Sequence, residues 1–187
     1  WYEHLKIGAR MLTLPNTPRK RVGHGAVKVS GGVHSQNRDL QAISYHYNFS
    51  NRCYEMMLGP SMGYTSGVYE HENEDFTAAQ YRKFDLVCRK LRIEPGQRLL
   101  DIGCGWGAMV MHAAKHYGAE TFGVTLSEEQ LGYARAKIAA AGLQDRCRVE
   151  LLDYRNIDPA ERFDKISTIE VTEHFGVKNY PSYFNKG

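Results

Sequence analysis

The chain has 187 residues, 42% of them hydrophobic and 24% charged, with a net charge of only +3, enough apolar material for one substantial core and too little for two complete domains. It contains no run near eighteen apolar residues and no basic-apolar-small leader pattern, so neither a transmembrane helix nor a signal peptide is expected, and the protein reads as soluble and cytoplasmic. Cys53, Cys88, Cys104 and Cys147 stand far apart without a CxxC pair, which argues against a zinc site or a disulfide framework; no metal site is expected.

Residues 1–40 form a basic, loop-rich segment: Lys6, Arg10, Arg19, Lys20, Arg21, Lys28 and Arg38 face only Glu3 and Asp39, among repeated Pro and Gly. Only Trp1 to Leu14 has helical character. The arm is either a solvated tail or an element drawn to an anionic surface, where each Lys or Arg contributes roughly 1 kcal/mol. No nucleic-acid-binding motif accompanies the charge. Residues 41–93 are aromatic and then helical. Tyr45, Tyr47, Phe49, Tyr54, Tyr64 and Tyr69 are interrupted by Gly59-Pro60, Gly63 and Gly67, predicting a helix or two and an ordered loop. From Thr77 to Leu91, apolar residues recur at three and four, with Asp75 or Thr77 available as a cap.

Residues 94–187 alternate strand and helix. Strands are predicted at 98–102, 120–125, 148–152 and 163–169, and helices at 109–117 and 128–141, each helix followed by glycine. This rhythm predicts an α/β doubly wound, Rossmann-like parallel sheet. With four strands where such folds carry five or more, the sheet reads as incomplete at the C-terminus.

Leu100-Asp-Ile-Gly-Cys-Gly-Trp-Gly107 joins the first strand to a helix, where such folds bring backbone against a nucleotide. Gly103, Gly105 and Gly107 serve either a tight turn or the close approach of a ligand. Asp101 is suited to a ligand ammonium or to fixing the loop. The second strand ends in Gly-Val-Thr125-Leu126-Ser-Glu-Glu-Gln130, with Thr125 where a dinucleotide site would hold an acid. Gln130 either reaches a ligand or closes a capping box with Ser127. After the third strand, Tyr154 is placed to cover an adenine face and Asp153 to accept from its amino group.

These segments, with Glu173-His174-Phe-Gly-x-x-Asn-Tyr-x-x-Tyr-Phe and the upstream Ser44-Tyr-His-Tyr-Asn48, Leu58-Gly-Pro-Ser-Met62 and Tyr64-Thr-Ser-Gly-Val-Tyr69, resemble the cyclopropane-fatty-acyl-phospholipid synthases, including the mycolic acid cyclopropane synthases. The match spans about 41–184. The resemblance implies S-adenosylmethionine as cofactor, the double bond of an unsaturated phospholipid acyl chain as substrate, and a bound bicarbonate as the base that deprotonates the resulting cation. It implies that Glu173 holds the bicarbonate, that His174 assists or merely packs nearby, and that Tyr64 and Thr65 close over the methionine end of the cofactor. Ser66 stands where the family carries cysteine. The expected location is cytoplasmic, peripheral to the inner face of the membrane, with a homodimer as an option. The alternatives are a small-molecule S-adenosylmethionine-dependent methyltransferase and a non-catalytic cofactor-binding homologue; a nicotinamide dehydrogenase is disfavoured by Thr125.

Overall fold

In the computed structural model the described residues are 29–47 and 50–184; the expected helix at Trp1 to Leu14 and most of the basic arm lie outside them. Alternate residues of Arg98–Ile102 (β1) point to opposite faces of the sheet, so Leu99 and Asp101 share one side while Leu100 and Ile102 share the other, all four buried. β1 pairs in parallel with Glu120–Thr125 (β2) and with Lys165–Thr168 (β4), and β2 pairs with Cys147–Leu151 (β3), giving the order β3-β2-β1-β4. The first two strands fall on their predicted residues. β3 begins one residue early, and β4 is shorter than expected because Phe163 stays outside the ladder, under the Arg98 guanidinium, and Ile169 lies beyond the last pair.

Five longer helices surround the sheet. Gln36–Tyr47 (α1) starts ahead of the expected boundary at residue 41: the Ser35 hydroxyl accepts from the Arg38 backbone amide, a side-chain cap that offsets the glycines before it. Asn51–Leu58 (α2) runs into a 3-10 turn at Gly59–Ser61. Phe76–Leu91 (α3) is capped by Asp75, which accepts from Ala78 at 3.0 Å. Ala108–Tyr117 (α4) lies between Gly107 and Gly118, both in the left-handed region, and Glu128–Ala140 (α5) is capped by Ser127.

Helices α3 and α4 bury Phe84, Cys88, Met109 and Ala113 against Leu99, and α4 with α5 buries Val110, Ala134 and Ile138 against Cys147 and Val149. Each fully buried Val, Leu, Ile, Phe or Met side chain among them contributes roughly 1.5–3 kcal/mol. The opposite face, with Leu100, Ile102, Phe122 and Val124, is covered by the 152–163 connection and by Tyr183 of Tyr180–Phe184 (α7); a single turn, Thr172–Phe175 (α6), follows β4. A smaller cluster of Tyr54, Leu58, Met62 and Trp106 fastens α2 to the loop after β1. Among the described residues no helix is long and apolar enough to cross a membrane.

Candidate functional site: a cavity at the carboxyl edge of the sheet

The carboxyl ends of β1, β2 and β4 open into a cavity of about 430 Å³. In a parallel sheet this edge collects ligands, because the strand-to-helix loops present backbone N–H groups there. The three glycines after β1 do three different jobs. Gly103 (φ +75°) passes so close to Val171 that any side chain would collide with it. Gly107 (φ +85°) lets α4 approach α5, since a Cβ there would stand 3.1 Å from Ala134, and it does not line the cavity. Gly105 (φ +54°) does line it, and a Cβ there would meet nothing within 4 Å. Its bare backbone faces open space, as close ligand approach requires.

Asp101 sits at the cavity floor, 3% exposed, with its Oδ1 accepting from the Ser167 hydroxyl at 2.6 Å. Burial pushes its carboxyl up to about 7, against the opposing effect of the Ser167 hydrogen bond. A cationic ligand beside it would restore the charged form.

On the β2 side, Thr125, Leu126 and Gln130 line the wall. The capping box expected here is rearranged. Ser127 accepts from the Gln130 backbone amide at 3.3 Å, but the reciprocal bond to the Ser127 amide comes from the Thr125 hydroxyl, also at 3.3 Å. Thr125 in turn donates to Gln130 Oε1 at 2.7 Å, which leaves the amide nitrogen of Gln130 as its remaining donor group. Capping and cavity lining are therefore compatible in this pair.

The 152–155 segment forms the next wall. Tyr154 lines it, braced edge-to-face by Tyr183 at 5.2 Å. Asp153 is more committed than its sequence implies: Oδ1 takes the backbone N–H and Nε of Arg155 at 2.9 and 2.8 Å, and Oδ2 takes Nη2 at 2.6 Å. Arg155 continues to the His34 carbonyl and to Asp39, both at 3.1 Å, fastening the start of α1 onto the cavity.

The rim carries Tyr64, Thr65, His174 and Glu170. Thr65 donates to Glu170 at 2.9 Å and accepts from Lys83 of α3. His174 is exposed on α6, and Ser66 is exposed and stands outside the cavity wall. The backbone of Glu173 lies in α6 directly after β4; its side chain is outside the described residues. Thus the structure brings together Tyr64, Thr65, Asp101, Gly103, Gly105, Thr125, Leu126, Gln130, Asp153, Tyr154 and His174, and does not bring Ser66 or Gly107 to the same space. Arg155, Asp39 and Glu170 were missed. The contacts Arg155–Asp39 and Glu170–Thr65 each span more than a hundred residues, although Arg155 directly follows the Asp-Tyr pair. Among the described residues no cluster of three metal-ligating side chains occurs.

The wall combines apolar surface from Met62, Ile102, Trp106, Met109 and Leu152 with a few convergent polar groups, the composition that suits a nucleoside bearing a charged tail. Comparison with known proteins agrees with this chemistry. A probable fatty acid methyltransferase of Mycobacterium tuberculosis is 47% identical over 155 residues, covering 83% of this chain and 36% of that protein. The cyclopropane-fatty-acyl-phospholipid synthase of Escherichia coli is 38% identical over 144 residues, covering 74% and 35%. The crystal structure of mycolic acid cyclopropane synthase CmaA1 complexed with SAH and CTAB superposes with a TM-score of 0.74 at 33% identity, covering 79% of this chain and 51% of that one. The chain thus spans just over a third of these two curated relatives, and its fold is the Rossmann-like fold of S-adenosylmethionine-dependent methyltransferases. With the family model for mycolic acid cyclopropane synthetase matching residues 34–187, a range that begins ahead of the expected residue 41, the chain belongs to that family.

Proposed function

We propose that this chain is the cofactor-binding part of an enzyme that transfers one carbon from S-adenosylmethionine to the double bond of an unsaturated phospholipid acyl chain. The observation that carries the reading is that the open backbone of Gly105 and the buried carboxyl of Asp101 line one cavity in a chain of this family. When bound, S-adenosylmethionine supplies an electrophilic methyl group. The protein's task is then to bind, orient and keep water away. Asp101 receives the ammonium of the methionine end, Gln130 and Thr125 meet polar oxygens, and Tyr154 covers the adenine. Excluding water matters because a cation on the acyl chain would otherwise be captured by it.

Glu173, one turn past β4, is assigned the orientation of a bicarbonate that takes the proton, with His174 beside it on α6. The exposed position of Ser66 argues against a chemical role for that hydroxyl, so the family cysteine at this place is not missed through its thiol. The enzyme works at the membrane's inner face as a peripheral protein. A small-molecule methyltransferase is the second reading, favoured only by the exposed rim at Tyr64.

The test is Glu173→Gln in the full chain. Binding of S-adenosylmethionine should persist, while turnover on unsaturated phospholipid falls by roughly 10² or more, as when a positioned proton acceptor is lost. Full activity of this variant removes Glu173 from the mechanism. A gain of one methylene on a small molecule, and none on lipid, supports the second reading instead.

A further inference from the structure

Four described non-glycine residues adopt positive φ: His34, Met62, Arg92 and Glu170. Arg92 caps α3 and Met62 ends the 3-10 turn at Gly59–Ser61, while Met62, His34 and Glu170 line the cavity, each on a different segment. Strain of this kind persists only where surrounding contacts hold it, and it collects at functional sites. Glu170 is the clearest case. At φ +53° it stands where glycine would sit without penalty, so the side chain must supply something that glycine cannot.

What it supplies is an acceptor. Glu170 Oε1 takes the Thr65 hydroxyl proton at 2.9 Å, across 105 residues of chain. Lys83 donates to the same Thr65 oxygen and stands 3.8 Å from Glu170 Oε1, its ammonium largely withdrawn from water. Gln80, fully buried, donates to the Thr65 carbonyl, and Gly63 lies against it closely enough that a Cβ would sit 2.8 Å from Gln80 Oε1. The segment that carries Tyr64 over the cavity is therefore gripped on one side by α3 and on the other by the end of β4. The α3 grip is internal to the N-terminal part. Among the described residues, only Glu170 ties the cover to the sheet edge through this hydroxyl.

We propose that Glu170 is a positioning residue, which through Thr65 holds the Tyr64–Thr65 cover down over the cavity and so sets how long the cofactor stays bound. This rests on the reading of the cavity as the S-adenosylmethionine site. The strain at Glu170 is then the cost of a closed cover.

The experiment compares Glu170→Gly, Thr65→Val and Thr65→Ser in the full chain, measuring melting temperature and the dissociation rate of labelled S-adenosylhomocysteine in a chase. Glycine relieves the backbone, so Glu170→Gly should melt no lower than the parent and yet release ligand faster, by about tenfold for a lost charge-assisted hydrogen bond. Thr65→Val should match it, and Thr65→Ser, which keeps the hydroxyl, should stay near the parent rate. The double variant Glu170→Gly/Thr65→Val should release ligand no faster than the faster single one, since both remove the Thr65–Glu170 hydrogen bond and each also takes one partner from Lys83. A Glu170→Gly protein that melts higher and releases ligand at the parental rate overturns the proposal. Failure of the unaltered chain to bind the ligand overturns the cofactor reading itself, and this proposal with it.

Discussion

At the amino end of the sheet, Glu161 accepts from Arg98 at 2.5 Å and from Arg148 at 2.9 Å, and the two guanidinium groups lie over the rings of Phe163 and Phe122. There Glu161 answers both arginines, whose pairing is held close to water. At the carboxyl end, Asp101 is buried with one hydroxyl partner, Glu170 is strained, and glycine backbone lies open. The same sheet thus has a settled end and an unsettled one. The difference teaches where to look for chemistry: a ligand gains most where the folded chain has left polar groups short of partners.

The sharpest way to break this contrast is at Gly105. Gly105→Val fills the space that a ligand would use, and S-adenosylmethionine affinity should fall on the order of 100-fold by calorimetry, with the circular dichroism of a folded protein kept and some loss of melting temperature from the positive φ. Gly107→Ala, which presses on Ala134 instead, should lower the melting temperature more than the affinity. If the two variants behave alike, the division of labour within the loop is wrong.

Asp101 gives a second, smaller effect that depends on pH. Its carboxyl ionises at about 7 when folded, against an ordinary value of 3.8, so between these values the unfolded chain is the more ionised. Its contribution to stability is therefore greatest below about pH 4 and declines as pH rises toward 7. Binding of a cationic ligand should run the other way, tightening by up to about tenfold from pH 6 to 8 as the carboxylate forms. Asp101→Asn should flatten both profiles. A parent protein whose affinity ignores pH in this range would detach Asp101 from the ammonium.

The smallest effect belongs to the settled end. Glu161→Gln removes a partly exposed partner of two arginines and should leave cofactor affinity unchanged, with a melting shift below that of the other variants. A marked loss of affinity there would mean that the two ends of the sheet are coupled.

The strands β1 and β2 were legible because their apolar runs are bounded by turn residues on both sides, Glu94-Pro-Gly before β1 and Gly118 before β2. Most of the cavity wall was legible for a related reason: Asp101, Gly105, Thr125 and Tyr154 all sit within a few residues of a strand's carboxyl end. Glu170 occupies the same kind of position, yet its left-handed backbone and its bond to Thr65 leave no local trace. Arg155 binds Asp39 across 116 residues, and such pairings are fixed by packing rather than by spacing. Ser66 and Gly107 show the opposite case, lying outside the cavity wall. They are adjacent in sequence to cavity residues, but Ser66 lies exposed in irregular backbone, and α5 takes the space behind Gly107.

Trp106, between the second and third glycines, is 3% exposed, donates from its indole to Asn51 at 2.8 Å and packs on Tyr54 with ring centroids 4.5 Å apart. It also lines the cavity, and the sequence holds only one other tryptophan, Trp1. The molecule therefore carries its own optical probe at the place where a nucleoside would rest: indole emission, sensitive to stacking and to local polarity, reports arrival and departure of a ligand without any attached dye. Replacing Trp1 with phenylalanine isolates that signal.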